Sequence, residues 1–311
     1  MPFPQEPQAP LKNIRVLDLS RVFAMPFAAA NLADLGAEVI KIDTCQTQFM
    51  DTTRTITGPF PDNKPGEYWW EQGGTFQNLN RGKRSLTLDL RSEDSQKMIK
   101  SLVQVCDVVL ENFTPRVMHR FGLDYESLRA HKPDLIMVSN TGYGHSGPWS
   151  NFGAMASALE PTHGTGAFMG YMEEGPDSRL SEGQIPNKMG NSYSDFLATW
   201  TALSGLMAAL LRRARTGQGQ YIDISMLDLQ ISWLTYQAGT YFATGKPPRR
   251  VGAAHPNLVP YQAFECSDGK YINIAIGNER FWERFCKALG REDLMTHADY
   301  SSNMSRVQHR E

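Results

Sequence analysis

The chain has 311 residues, 41% hydrophobic and 21% charged, the balance of an ordinary soluble globular protein with room for one large domain or two ordinary ones. A formal net charge of -2 supplies no global basic field for nucleic acid or an anionic membrane, although local basic clusters remain free to hold a phosphorylated ligand. The four cysteines (Cys45, Cys106, Cys266, Cys286) are scattered without a Cys-x-x-Cys pair. Neither a zinc site nor a disulfide framework is expected, and a reducing cytoplasm fits best.

The first seven residues are proline-rich, lack a basic-then-apolar order, and do not read as a signal peptide. Residues 13–19 read as a buried strand, 27–35 as a helix stopped by Gly36, and 37–42 as a second strand. This is a βαβ signature, which implies a parallel sheet. The pattern recurs with a strand at 85–90, a helix at 92–105, a strand at 107–111, a helix ending at 127–132 before Pro133, and a strand at 135–139. Residues 161–188, rich in Gly, Pro, Glu and Ser, read as a surface excursion. A long apolar helix follows Asp195, and 221–225 reads as a strand. Its uncharged stretch, 197–211, is too short and too abruptly flanked to span a bilayer.

A further helix is expected from Met226 to about Phe242, then a linker at 245–250, a hairpin around Asp268-Gly269, and a helix at 281–289. The fold class is therefore α/β, an open parallel Rossmann-like sheet in a large domain plus a smaller α+β domain. The expected boundaries are 1–225 for the large domain, 226–250 for a linker helix and crossing, and 251–311 for the small domain.

Asp195 stands directly before the apolar stretch, which closes with Arg212, Arg213, Arg215 and Gly217. Acid at the start, bases in the last turn and a glycine stop mark a helix. A carboxylate there is either a plain helix cap, worth about 1 kcal/mol, or a nucleophile held ionised by the helix dipole. Arg81, Gly82, Lys83 and Arg84 precede a strand and read either as a phosphate cradle or as a solvated basic turn; the P-loop pattern is absent. Glu111-Asn112-Phe113 follows a buried strand, where ligand loops concentrate. Arg116 and Arg120 fall on one face of a helix starting at Pro115 and suit either phosphate or open solvent. His145 and His163 lie in glycine-rich loops without a partner at a catalytic spacing.

Several segments together (14–19, 35–42, 80–90, 110–113, 142–148 and 215–226) resemble the class III CoA-transferases of the CaiB/BaiF type, such as formyl-CoA, crotonobetainyl-CoA and benzylsuccinate CoA-transferases. The resemblance covers nearly the whole chain in order. It implies that Asp195 is the nucleophile of CoA transfer between an acyl-CoA and a carboxylic acid, through an aspartyl mixed anhydride and an aspartyl-CoA thioester. It implies CoA contacts at Lys83, Asn112 and Arg120, with Arg81, Arg84 and Arg116 as looser candidates. CoA thioesters would be substrates, with no tightly bound cofactor and no metal.

The family fold is an interlocked dimer, here a homodimer or a heteromer. Phe23 stands where formyl-CoA transferases carry a glutamine, and Met155 where racemases of the family carry a general-base histidine. The His255 loop, 251–257, replaces a glycine-rich flap. Phe23 and Met155 together imply a bulkier or less polar acyl group than formate or oxalate, and Met155, which cannot shuttle a proton, disfavours racemase chemistry. An acyl-CoA racemase and a non-catalytic CoA-binding subunit are the alternatives. The chain also stops at Glu311, inside an expected helix and short of the family's usual end.

Overall fold

The computed structural model describes residues 9–44, 46–55, 58–170 and 192–310. The apolar runs pair into six parallel strands: β1 (Arg15–Asp18), β2 (Glu38–Asp43), β3 (Arg84–Thr87), β4 (Val108–Glu111), β5 (Ile136–Thr141) and β6 (Gln220–Ser225). Their order is β3-β2-β1-β4-β5-β6. This is the α/β doubly wound sheet expected from the βαβ pattern. Alternate residues serve two cores, which is why the strands read as continuous apolar runs. Val16, Val108, Ile136 and Val138 face the helices Ala24–Asp34 and Tyr193–Thr216. Leu17, Val109 and Met137 face the opposite layer, which includes the helix Glu93–Val103.

The strand order reverses between β1 and β4, so the loops leaving their carboxyl ends part and open a crevice. The β1 loop is held from beneath by buried charge. Asp18 ends β1 with 0% exposure. Lys83 meets it at 2.7 Å and also donates to Pro26 O at 2.9 Å and Asn80 Oδ1 at 2.8 Å, so all three ammonium protons are used. Lys41 donates to Ser20 O and lies 3.9 Å from Asp51 Oδ2. Asp51 in turn accepts from Val22 N at 2.9 Å. Val22 sits at φ +66, costly for a β-branched residue and sustained only because its neighbours over-determine it. Burial would raise the Asp18 carboxyl, but Lys83 and Lys41 hold it below its ordinary value. Burial pulls Lys83 down to about 8, against the pull of Asp18.

The described residues fall into two compact units, the first drawn from 1–163 and 189–235 and the second from 164–188 and 236–311. In the second, β7 (Tyr261–Glu265) and β8 (Tyr271–Ala275) form the expected antiparallel hairpin, turning at Gly269 with φ +75. The helix Glu279–Leu289 is capped by Asn278 and packs Trp282 and Cys286 onto Ile276.

One expectation needs correcting. The single helix from Met226 is two, Met226–Ser232 and Thr235–Thr244. At Trp233 and Leu234 the amides reach back only three residues, to Gln230 O and Ile231 O, which tightens and ends the first helix. The excursion expected at 161–188 lies mostly outside the described residues, and the helix Ala156–Thr162 runs into its start. The apolar helix spans 24 residues, Tyr193–Thr216, so by length and composition it could cross a membrane. In the fold it is a layer helix, with Ala198, Ala202 and Leu206 buried in the core.

Lys83→Met is expected to cost about 3–5 kcal/mol of stability, because it strands the Asp18 charge in the interior. Urea unfolding at neutral pH measures this, and an unchanged midpoint would show that the pair does not support the fold.

Candidate active site

Above the crevice is a cavity of about 270 Å³ lined by the loops after β1, β4 and β5 and by the start of the long helix. It contains Phe23, Asn112, Met155 and Asp195 together. The helix starts one turn earlier than the sequence suggests. Ser192 is its N-cap and makes no side-chain cap bond, while Asp195 is the third helical residue. Asp195 is therefore not the cap. Thr199 Oγ1 lies 2.7 Å from Ala24 O and 2.8 Å from Asp195 O, tying this first turn to the helix after β1.

Aromatic side chains pack together beside the start of this helix. Phe23, Phe27 and Phe196 form an aromatic trio, with Phe23 and Phe196 edge to face at 4.9 Å. Among the described residues no donor or cation contacts the Asp195 carboxylate. Burial accordingly pushes its pKa up to about 7. Desolvation here opposes the helix end, which favours the ionised form.

Asn112 has both amide atoms engaged with the backbone of Arg21, accepting from its N at 2.8 Å and donating to its O at 2.7 Å. It clasps the two crevice loops together. Glu111, with 0% exposure, accepts from Phe113 N at 2.8 Å and bonds the Ser139 hydroxyl, and burial raises its pKa to about 7. Two lining residues from β5 keep unsatisfied polar atoms. Asn140 Nδ2 and Thr141 Oγ1 are buried and have no partner among the described residues. Such atoms in a cavity await a ligand or water. Sequence reading missed Arg21, Asn140 and Thr141. Their position at carboxyl ends of strands was the available signal.

The cations divide differently from expectation. Lys83 is buried on Asp18. Arg81 pairs with Asp34, and Arg84 with Glu38 at 2.9 Å. Arg116 and Arg120, both exposed, line a separate cavity of about 510 Å³ with Tyr125, His145 and Tyr221. There His145 Nδ1 lies 3.0 Å from Tyr221 OH, and Arg116 donates to Asn151 O at 3.2 Å. Burial lowers the pKa of His145 and of His163. Met155, 63% exposed, offers no proton-carrying atom to the Asp195 cavity. His255 belongs to the second unit, where its ring lies 5.3 Å from that of Tyr261 and its Nδ1 accepts from Asn257 N.

The sequence model for CoA-transferase family III matches residues 11–311. The chain is 37% identical over 301 residues to the succinate–glutarate CoA-transferase of Agrobacterium fabrum, covering 97% of this chain and 72% of that protein. It is also 37% identical to the succinyl-CoA:glutarate CoA-transferase of Mus musculus, of whose length it spans 64%. A solved CAIB/BAIF family protein from Brucella suis superposes with a TM-score of 0.78 at 36% identity, over 97% of this chain and 75% of that one.

The raised Asp195 carboxyl has a consequence for stability. Between its ordinary value of 3.8 and about 7 the native state holds a proton that the unfolded chain has released, so this group makes stability fall as pH rises through that window. Asp195→Asn is expected to raise the melting temperature at pH 8 and to lose that advantage toward pH 4. Equal effects at both pH values would show that the carboxyl is not desolvated.

Proposed function

The chain belongs to CoA-transferase family III, and on that footing we propose that it moves coenzyme A from an acyl-CoA donor to a carboxylic acid acceptor with Asp195 as the nucleophile. One observation carries the reading: a carboxyl group raised to about 7, without a donor among the described residues, in an apolar cavity at the carboxyl ends of the strands. A desolvated, more basic carboxylate is a better nucleophile once ionised.

In the proposed sequence the Asp195 carboxylate attacks the donor thioester carbonyl. The C–S bond breaks, leaving a mixed anhydride and CoA thiolate. The thiolate attacks the aspartyl carbonyl of the anhydride, releasing the donor acid and forming an aspartyl-CoA thioester. The acceptor carboxylate then attacks the aspartyl carbonyl of this thioester, its C–S bond breaks to give a second mixed anhydride and CoA thiolate, and the thiolate attacks the acceptor carbonyl, forming the new acyl-CoA and releasing the Asp195 carboxylate. The steps alternate between replacing an acyl–sulfur bond by an acyl–oxygen bond and the reverse, and none needs an oxidant. Asn140 Nδ2 and Thr141 Oγ1 are the donors assigned to the developing oxyanion.

Arg116 and Arg120 supply the cations assigned to CoA phosphates, since Arg81, Arg84 and Lys83 have carboxylate partners. Lys83 and Asn112 serve CoA in this reading by holding the crevice loops in place. Phe23 and Met155 suit an acyl chain longer than formate or oxalate, and the relatives named for succinate and glutarate support acids of that size. A cytoplasmic dimer completes the proposal, with exposed Trp200 and Trp233 supplying apolar surface for a second copy.

Asp195→Asn and Asp195→Ala are expected to abolish CoA exchange, read by mass spectrometry of CoA products, while CoA binding persists. Hydroxylamine added during turnover is expected to convert the activated Asp195 carboxyl to its hydroxamate, and the transfer rate is expected to rise with pH through about 7. Full turnover by Asp195→Ala would end this reading.

A further inference from the structure

The cavity that holds Asp195 also holds a cation that no described residue neutralises. Arg21 lines it from the β1 loop. Its backbone is fixed on both sides by Asn112 and its side chain is half-buried. Among the described residues its guanidinium makes no hydrogen bond and no ion pair. Its contact is aromatic: the guanidinium carbon lies 5.5 Å from the centre of the Phe113 ring, which lines the same cavity. Other basic residues are engaged, Arg15 and Arg84 by Glu38, Arg54 by Asp43 and Glu71, Arg81 by Asp34, and Lys83 by Asp18. Arg21 and Asp195 line the same cavity and form no ion pair with each other.

An uncommitted guanidinium in an apolar cavity suits a planar, bidentate anion, and a carboxylate matches its fork. Asp195 is the reacting centre, so the anion at Arg21 is a second group on the same substrate. We propose that Arg21 binds the remote, non-reacting carboxylate of the acyl group, making the site selective for dicarboxylic acids over monocarboxylic acids of equal length. This rests on the CoA-transfer reading above. It adds a specificity-determining residue with a stated ligand class. A monocarboxylate would leave the half-buried guanidinium without the charge-assisted pair that a second carboxylate supplies. The Arg21 side chain carries none of the backbone contacts that hold its loop, so replacing it preserves the clasp with Asn112.

The test uses the full chain with one fixed acyl-CoA donor and two pairs of acceptors, glutarate against pentanoate and succinate against butanoate. The wild type is expected to favour each dicarboxylate in kcat/KM. Arg21→Gln is expected to lower kcat/KM for the dicarboxylates by about 10- to 100-fold, chiefly through KM, and to leave the monocarboxylates nearly unchanged. Arg21→Lys, which keeps the charge but loses the fork, is expected to fall between. A wild type without preference overturns the proposal, as does an Arg21→Gln variant that keeps it. A rise in KM for the acyl-CoA donor with the acceptor ratio unchanged also overturns it and places a CoA phosphate at Arg21 instead. If the wild type transfers CoA to neither acid, the transfer reading fails separately. Calorimetric binding of glutarate and pentanoate to the wild type and Arg21→Gln then decides Arg21 on the same ratio.

Discussion

The buried pair Asp18–Lys83, with Lys41 and Asp51 beside it, is the constraint on which the crevice depends. Taking four charges out of water is costly, and the cost is offset only where the remaining donors and acceptors are filled. Lys83 fills three acceptors, one on β1, one in the helix after it and one in the loop before β3. Lys41 and Asp51 then hold the backbone at Ser20 and Val22. The result is a loop with a β-branched residue in the left-handed region, a geometry that local preference alone would reject. This loop carries Arg21 and Phe23 to the cavity, and Asn112 fastens it to the loop after β4.

Two aspartates near this crevice show how environment assigns roles. Asp18 has two lysines and the Ser20 hydroxyl, stays ionised, and is structural. Asp195 is buried with no donor among the described residues, and is raised to about 7. Paired carboxyls with environments that push them apart are a general sign of divided labour. Glu111, also raised to about 7, resembles Asp195 in its desolvation but has its oxygens committed to Ser139 and Phe113. A perturbed carboxyl is therefore not itself evidence of reactivity. What separates Asp195 is that it lines a cavity and has no partner among the described residues.

Much of the fold was legible in the chain because its signals are local. Apolar runs between helical periods became the six strands, and Gly217, at φ +69, ends the long helix where the bases and glycine predicted. Gly219 follows because a Cβ there would fall 2.1 Å from Leu135 O as the chain enters β6. The helix break at Trp233 was not legible, since the sequence there carries neither proline nor glycine. Nor was the start of the Asp195 helix, because Ser192, Tyr193 and Ser194 are compatible with either a cap or a first turn.

The sequence by itself determined the α/β class, the likeness to the class III transferases and the candidacy of Asp195, Asn112 and the basic loops, because residue type and spacing are local properties. Only the tertiary structure decided the strand order, the cavity and which cations remain uncommitted. Lys83 meets Asp18 across 65 positions, Asn112 meets Arg21 across 91, and Thr199 meets Ala24 across 175. A charge in a sequence is a charge without a partner, and only folding decided that Lys83 would be consumed in the interior while Arg21 would face the cavity unpaired among the described residues.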